Sequence, residues 1–362
     1  MIGISLLTAT AIKENNEKYL LITSNLYKSQ KIYSLLSSLL PKSKICLFPS
    51  DELVRAENIS KSKEMAANRI YALNEIISGH ADVVICNLAS LVRFLPTIDI
   101  FKSHCLKVKV GQELNLQEIK KTLVQAGYTK VNKVDSSLEF AVRGDILDIF
   151  SVNMDDPVRI ELFGDEVESI RTFDIATQSS KKEINKIEIL PGNDYLFTDE
   201  EIKTASEKIF SQLEKDQELL SMVDFANLRN LTETDLMDIL EFNYSPRIYR
   251  YFSLISKQTA TILEYCKNYD VVLVDEPAIK ESYDLLAEES HSFLYELFEN
   301  GKMISHLEIY QNYYDLEFNH SRLIRTKLFK SDDKDIIFNC KNVPFVVNKE
   351  LRHIFMLYSS FK

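Results

Sequence analysis

The sequence predicts an α/β body built on a parallel sheet, interrupted by a small α+β insert and followed by a helical segment. Three observations predict it. Short apolar strands alternate with amphipathic stretches up to about residue 105, closely spaced strand-like runs then take over, and after Pro191 the pattern turns helical before one further buried strand.

The opening MIGISLLTATAIKENNE has no positively charged start and reads as a helix leading into the strand YLLI at Tyr19. Asn25 is placed to cap a helix bearing Ile32, Leu35, Leu36 and Leu39, which Pro41 ends. After the strand ICLF from Ile45, a second helix sets Ala66, Ile70, Leu73 and Ile77 on one face until Gly79, and DVVIC from Asp82 is the next strand. Strands without polar alternation, each followed by a helix, are buried on both faces, as parallel strands are.

The texture changes at Lys107. LKVKV, a helix from Asn115 to Ala126 ended by Gly127, and the runs TKVNKV, LEFAV, DILDIF, PVRIELF and EVESIRTF give one helix against an antiparallel sheet. Thr198 and Glu201 then form a capping box, with further helices expected around Asp235–Phe242 and Thr259–Tyr265. The late strand in DVVLVDEP, from Asp270, is assigned to the first sheet, with Asp275 capping the following helix and Pro277 in its first turn. The chain therefore divides into 1–106, the first part of the α/β body; 107–183, the insert; 184–318, the helical segment and returning strand; and 319–362, the start of a further domain that reads as cut short.

Composition narrows the chemistry. At 362 residues, 45 % hydrophobic and 27 % charged, the chain is of the globular class, and its formal charge of −11 argues against a broad DNA-wrapping surface. No apolar run reaches the ~18 residues that span a bilayer. Five widely spaced cysteines read as reduced thiols of a cytoplasmic protein, and six scattered histidines show no metal-ligand spacing, so no metal is expected.

The eight glycines never cluster into GxxxxGK[ST] or GxGxxG, and without them successive N–H groups cannot turn toward a phosphate. No cofactor, no catalytic residue and no enzymatic activity are therefore expected of this chain. Asp275 and Glu276 resemble a Mg²⁺-holding strand end, yet lack a phosphate cradle to act on. No GxSxG elbow is present; Asp155 and Asp156 beside Pro157 suit a turn; the basic run SRLIRTKLFK and the acidic run TDEEIKTASEK read as solvated surface.

The hairpin RIELFGDEVESI carries the one unusual pattern. With Gly164 and Asp165 as a two-residue loop, Phe163 pairs with Glu166, Leu162 with Val167, Glu161 with Glu168, Ile160 with Ser169 and Arg159 with Ile170. Val158, Ile160, Leu162 and Val167 then face the core. Arg159, Glu161, Phe163, Glu166, Glu168 and Ile170 face outward, joined by Arg143 from a neighbouring strand whose Phe140 and Val142 point inward. An arginine–aromatic pair among carboxylates has the composition of protein interfaces. A contact inside the same protein, or a surface salt-bridge ladder, fits the spacing equally.

At these residues a resemblance emerges. LEFAVRGDILDIFSVNMDDPVRIELFGDEVESIRTFDIATQSS resembles the UvrB-homology module of bacterial transcription-repair coupling factors, the Mfd family. ITSNLYKSQKIY, LFPSDELVRAENISKSKEMAANRI, LASLVRFLP, IEILPGNDY and TATILEYCKNYDVVLVDEP resemble other stretches of that family's amino-terminal region. UvrB itself is similar across the middle, but its Walker A loop and tyrosine-rich DNA-clamping hairpin have no counterpart here.

The resemblance implies a degenerate helicase-like parallel sheet domain without ATPase motifs, split by a UvrB domain 2-like insert that binds UvrA. It carries UvrA contacts onto Arg143, Arg159 and Phe163, with Glu161, Asp165 and Glu166 as weaker candidates, the arginines pairing with partner carboxylates. Ala141 stands where UvrB tends to have a further arginine, so that contact is expected to be absent. ATP and Mg²⁺ binding, DNA translocation and contact with RNA polymerase and double-stranded DNA would belong to domains missing here. The competing class is a UvrB-like or helicase-type nucleic-acid-dependent ATPase fragment.

Overall fold

The computed structural model describes residues 2–15, 17–50, 59–243, 247–319 and 322–327. The run from Asp51 to Asn58, the end of the basic run, the expected terminal strand and helix, and Cys340 lie outside the described residues. So does the whole of the unit 328–362, while residues up to Lys327 belong to one compact unit.

In chain order the body opens with α1 (Ile2–Asn15), β1 (Tyr19–Thr23), α2 (Leu26–Leu39), β2 (Ile45–Phe48), α3 (Ile59–Ile77), β3 (Val83–Asn87), α4 (Leu88–Leu91) and α5 (Ile98–Ser103). The insert follows, as β4 (Leu106–Lys109), α6 (Leu116–Gln125), β5 (Thr129–Lys130), β6 (Glu139–Arg143), β7 (Ile146–Phe150), β8 (Val158–Phe163), β9 (Glu166–Phe173), β10 (Ser180–Glu183) and β11 (Lys186–Ile189). The chain returns through α7 (Asp199–Asp216), α8 (Met222–Leu240), α9 (Phe252–Ile255), α10 (Ile262–Tyr265), β12 (Asp270–Leu273), α11 (Glu276–Glu299) and β13 (Leu323–Arg325).

The body sheet is parallel throughout, in the order β13-β12-β1-β3-β2. Every residue of β1, β3 and β12 is buried. Leu20, Ile22, Val84 and Leu273 pack with α3 and α10 on one face, and Tyr19, Leu21, Ile85 and Val272 pack with α1 and α2 on the other. Burial on both faces explains why these strands read as unbroken apolar runs. As expected, Asn25 caps α2, accepting from the Lys28 amide at 2.9 Å, and Thr198 and Glu201 form a capping box at α7.

Four expectations need correction. Leu323–Arg325 does not open a new domain at 319; it pairs in parallel with β12 as the outer strand of the body sheet, and Arg322 beside it is ion-paired to Asp270. Asp275 does not cap α11 with its side chain: it sits in the left-handed region at φ 64, its carboxylate 3.8 Å from the Lys28 ammonium. The helix expected at Asp235–Phe242 is a longer one from Met222, whose start the periodicity missed because Met222, Val223, Met237 and Leu240 are exposed. TKVNKV contributes only the two residues of β5.

The insert leaves and re-enters the body through the antiparallel pair β4–β11, with Lys107 opposite Glu188. Beyond this stem a six-stranded sheet, β10-β9-β8-β7-β6-β5, packs one face on α6 through Phe140, Leu147, Ile149, Val158, Ile160, Leu162, Val167 and Ile170. Among the described residues no helix is long and apolar enough to cross a membrane.

Candidate docking face of the insert

The face of the insert sheet turned away from α6 is built by two hairpins with the same loop. Arg143-Gly144-Asp145-Ile146 joins β6 to β7 and Phe163-Gly164-Asp165-Glu166 joins β8 to β9, with Gly144 at φ 58 and Gly164 at φ 64. A two-residue loop whose first residue is left-handed calls for glycine there. Because β6 and β8 run in the same direction, both loops lie at one end of the sheet, where Leu162 donates its amide to the Asp145 carbonyl at 2.9 Å. Arg143 and Phe163 are thus the last residues before two adjacent turns.

Phe163 is 80 % exposed, so its ring is spent on solvent as the alternation predicts. Its turn is braced from behind: Leu114 donates to the Asp165 carbonyl at 2.6 Å, and Gly111 and Gln112 pair with the Val167 backbone. Asp165 and Glu166 are exposed beside the ring.

The arginines are less alike than the sequence suggests. Asp148, with a side chain 1 % exposed, accepts from Arg159 Nε at 2.7 Å and Nη2 at 2.9 Å, and from Arg143 Nη2 at 3.3 Å. Arg159 is 18 % exposed and lies 4.7 Å over the Phe173 ring, whereas Arg143 is 54 % exposed. The hydrogen bonds to Asp148 raise the Arg159 pKa above its ordinary value. Arg159 is therefore tied into its own sheet, while most of the Arg143 guanidinium remains available.

The hairpin register also departs from expectation, at one residue. Phe163↔Glu166 and Leu162↔Val167 pair as expected, but Glu161 opposes Ser169, Ile160 opposes Ile170 and Arg159 opposes Arg171, leaving Glu168 as a β-bulge. Glu168 consequently does not face Glu161, and Ile170 is buried in the core, 1 % exposed. The cause is the apolar set: Val167 and Ile170 are three apart and can share the inner face only if one extra residue intervenes. That spacing was the signal available in the sequence. Below the bulge, Arg171 joins the outer face unannounced. Its guanidinium lies 3.2 Å from Glu161 and 3.3 Å from Glu183.

At the body's sheet, α2 begins where phosphate-binding folds offer free helix N–H groups. Here Asn25's own side chain takes the Lys28 amide, and the Lys28 ammonium bonds the Ser24 hydroxyl at 2.9 Å and faces Asp275. Among the described residues no group of three or more His, Cys, Asp or Glu side chains is arranged to hold a metal.

A parallel α/β body carrying such an insert defines a UvrB-like repair module, and residues 106–195 match the UvrB interaction domain family. The transcription-repair-coupling factor of Bacillus subtilis (strain 168) is 31 % identical over 318 residues, covering 84 % of this chain and 26 % of the relative. That of Staphylococcus aureus (strain Mu50) is 30 % identical over 292 residues, covering 80 % and 25 %, and that of Staphylococcus epidermidis (strain RP62A) 30 % over 298 residues, covering 81 % and 25 %. The chain belongs to the transcription-repair coupling factors, as their amino-terminal UvrB-homology region, and spans about a quarter of the length of the curated relatives it matches.

Proposed function

We propose that the chain is a recruiting platform that binds UvrA, linking stalled transcription to nucleotide excision repair through protein–protein contact. The observation that carries the reading is the exposed Phe163 ring beside the half-free Arg143 guanidinium, on a sheet whose other face is fully packed. Desolvated aromatic and arginine anchors dominate interface energies. Arg143 pairs with a partner carboxylate; Arg159 keeps Asp148 neutralised and so holds Arg143 at the surface; Glu161, Asp165 and Glu166 form the polar rim. In the full-length protein, ATP-driven translocation on DNA and displacement of RNA polymerase fall to other domains.

The test is calorimetric titration of the chain with purified UvrA. Phe163→Ala and Arg143→Ala should each weaken binding at least tenfold; wild-type affinity in both variants would overturn the reading. The competing ATPase reading is checked on the same material, with and without DNA. No ATP turnover is expected, since the α2 terminus and Lys28 are already engaged within the chain.

A further inference from the structure

We propose that Arg171 is a positioning residue of this face: with Ser169 it fixes the Glu161 carboxylate so that one oxygen stays open to a cation on the partner. This rests on the docking reading and deepens it.

The bulge at Glu168 makes the arrangement possible. It places Ser169 directly opposite Glu161 and Arg171 directly opposite Arg159. Ser169 then donates its hydroxyl to Glu161 Oε2 at 2.7 Å, and Arg171 Nη2 approaches the same Oε2 at 3.2 Å. The hydroxyl's hydrogen bond and the guanidinium's charge, both on one oxygen, hold the carboxylate in one orientation. Among the described residues Oε1 accepts no hydrogen bond, and the Glu161 side chain is 27 % exposed.

Arg171 is also ion-paired with Glu183 on the neighbouring strand, its buried Nε lying 3.3 Å from that carboxylate without a hydrogen bond to it. Its positive charge stands between two carboxylates, those of Glu161 and Glu183. The row that results reads Arg143, Ile146, Glu161, Ser169 across four strands. At about 4.8 Å per strand, the backbone positions of Arg143 and Glu161 lie about 10 Å apart, with an aliphatic residue between them.

The complementary surface on the partner therefore carries a carboxylate and a cation at that separation, with a pocket for the Phe163 ring beyond the cation. A partner offering acidic groups alone would meet repulsion at Glu161. Such opposition of like charges is how an interface rejects wrong partners.

The test is a double-mutant cycle read as affinity for purified UvrA, with Arg171→Met, Glu161→Gln and the two combined. Arg171→Met should weaken binding about five- to tenfold, the scale of one lost partly exposed charge contact, and add less than about twofold in the Glu161→Gln background. Arg171→Lys should recover part of the loss. A purely structural role would instead give a penalty that persists without the Glu161 charge, and that result, or wild-type affinity for Arg171→Met, overturns the proposal. If Arg171→Met fails to fold, Ser169→Ala carries the same expectation with the same partner oxygen. Phe163→Ala, measured alongside, separates the two failures: if it weakens binding and Arg171→Met does not, only this proposal falls; if neither does, the docking reading falls and takes this one with it.

Discussion

Leaving a phenylalanine 80 % exposed forgoes burial worth about 1.5–3 kcal/mol, so the ring at Phe163 contributes nothing to holding this chain together. Phe163→Ala should accordingly shift the melting temperature by no more than a degree or two while removing most UvrA affinity; a large loss of stability would mean the ring packs within the chain. The two arginines beside it separate by the same logic. Arg159 supplies both short hydrogen bonds to a carboxylate that is 1 % exposed, and removing one member of a buried pair strands the other charge. Arg159→Ala should therefore destabilise the fold by about 2–4 kcal/mol in denaturant unfolding. Arg143→Ala, at a half-exposed position, should stay within about 0.5 kcal/mol and act on binding alone. Equal stability in the two variants would contradict this division. The sequence named both arginines but could not tell them apart, because Asp148 sits on a strand whose outward set gave no hint that one carboxylate would serve two cations.

Elements were legible where burial is two-sided or periodic. β1, β3 and β12 declared themselves as apolar runs, and α2 and α7 by their caps at Asn25 and Thr198. α8 hid its first half because its solvent face carries Met222 and Val223. The register of β9 was lost at a single residue, since strict alternation was extended through a bulge whose sign was the spacing of Val167 and Ile170. With it went Ser169 and Arg171, which the expected register turned away from the outer face. The bulge makes its own prediction. Deleting Glu168 leaves Val167, Ser169, Ile170, Arg171 in unbroken alternation, so the variant should fold with a cooperative transition close to the parent's. Deleting Ile170 instead drives Arg171 toward the core and should abolish that transition. Circular dichroism melts of the two variants decide it, and equal behaviour would refute the register argument.

At the scale of the molecule, the body and the insert's exit are joined by a buried cluster that no local pattern could show. Asp194, fully buried just after the insert, accepts from Arg69 of α3 at 2.7 and 3.1 Å and from Arg93, beyond β3, at 2.7 and 3.3 Å, partners 125 and 101 residues away in sequence. Arg93 also stacks 3.7 Å from the Tyr249 ring, so three parts of the body meet on one carboxylate. Burial alone would push the Asp194 pKa up, but the two guanidinium groups outweigh it and hold the carboxyl well below the usual range. The sign of the consequence follows from that depression. The unfolded chain binds the proton near the ordinary value of about 3.9, the folded chain only at lower pH, so the stabilisation is fully present above about pH 4 and is lost as pH falls toward the folded value. Asp194→Asn should cost about 3–5 kcal/mol at neutral pH, because it leaves two buried cations without their counter-charge. The variant's unfolding free energy should then fall less steeply than the parent's below about pH 4, having no such carboxylate left to protonate. Denaturant unfolding from neutral pH to pH 3 measures both effects together. A loss under about 1 kcal/mol, or parallel acid limbs, would show that the exit of the insert is anchored by packing rather than by this charge cluster.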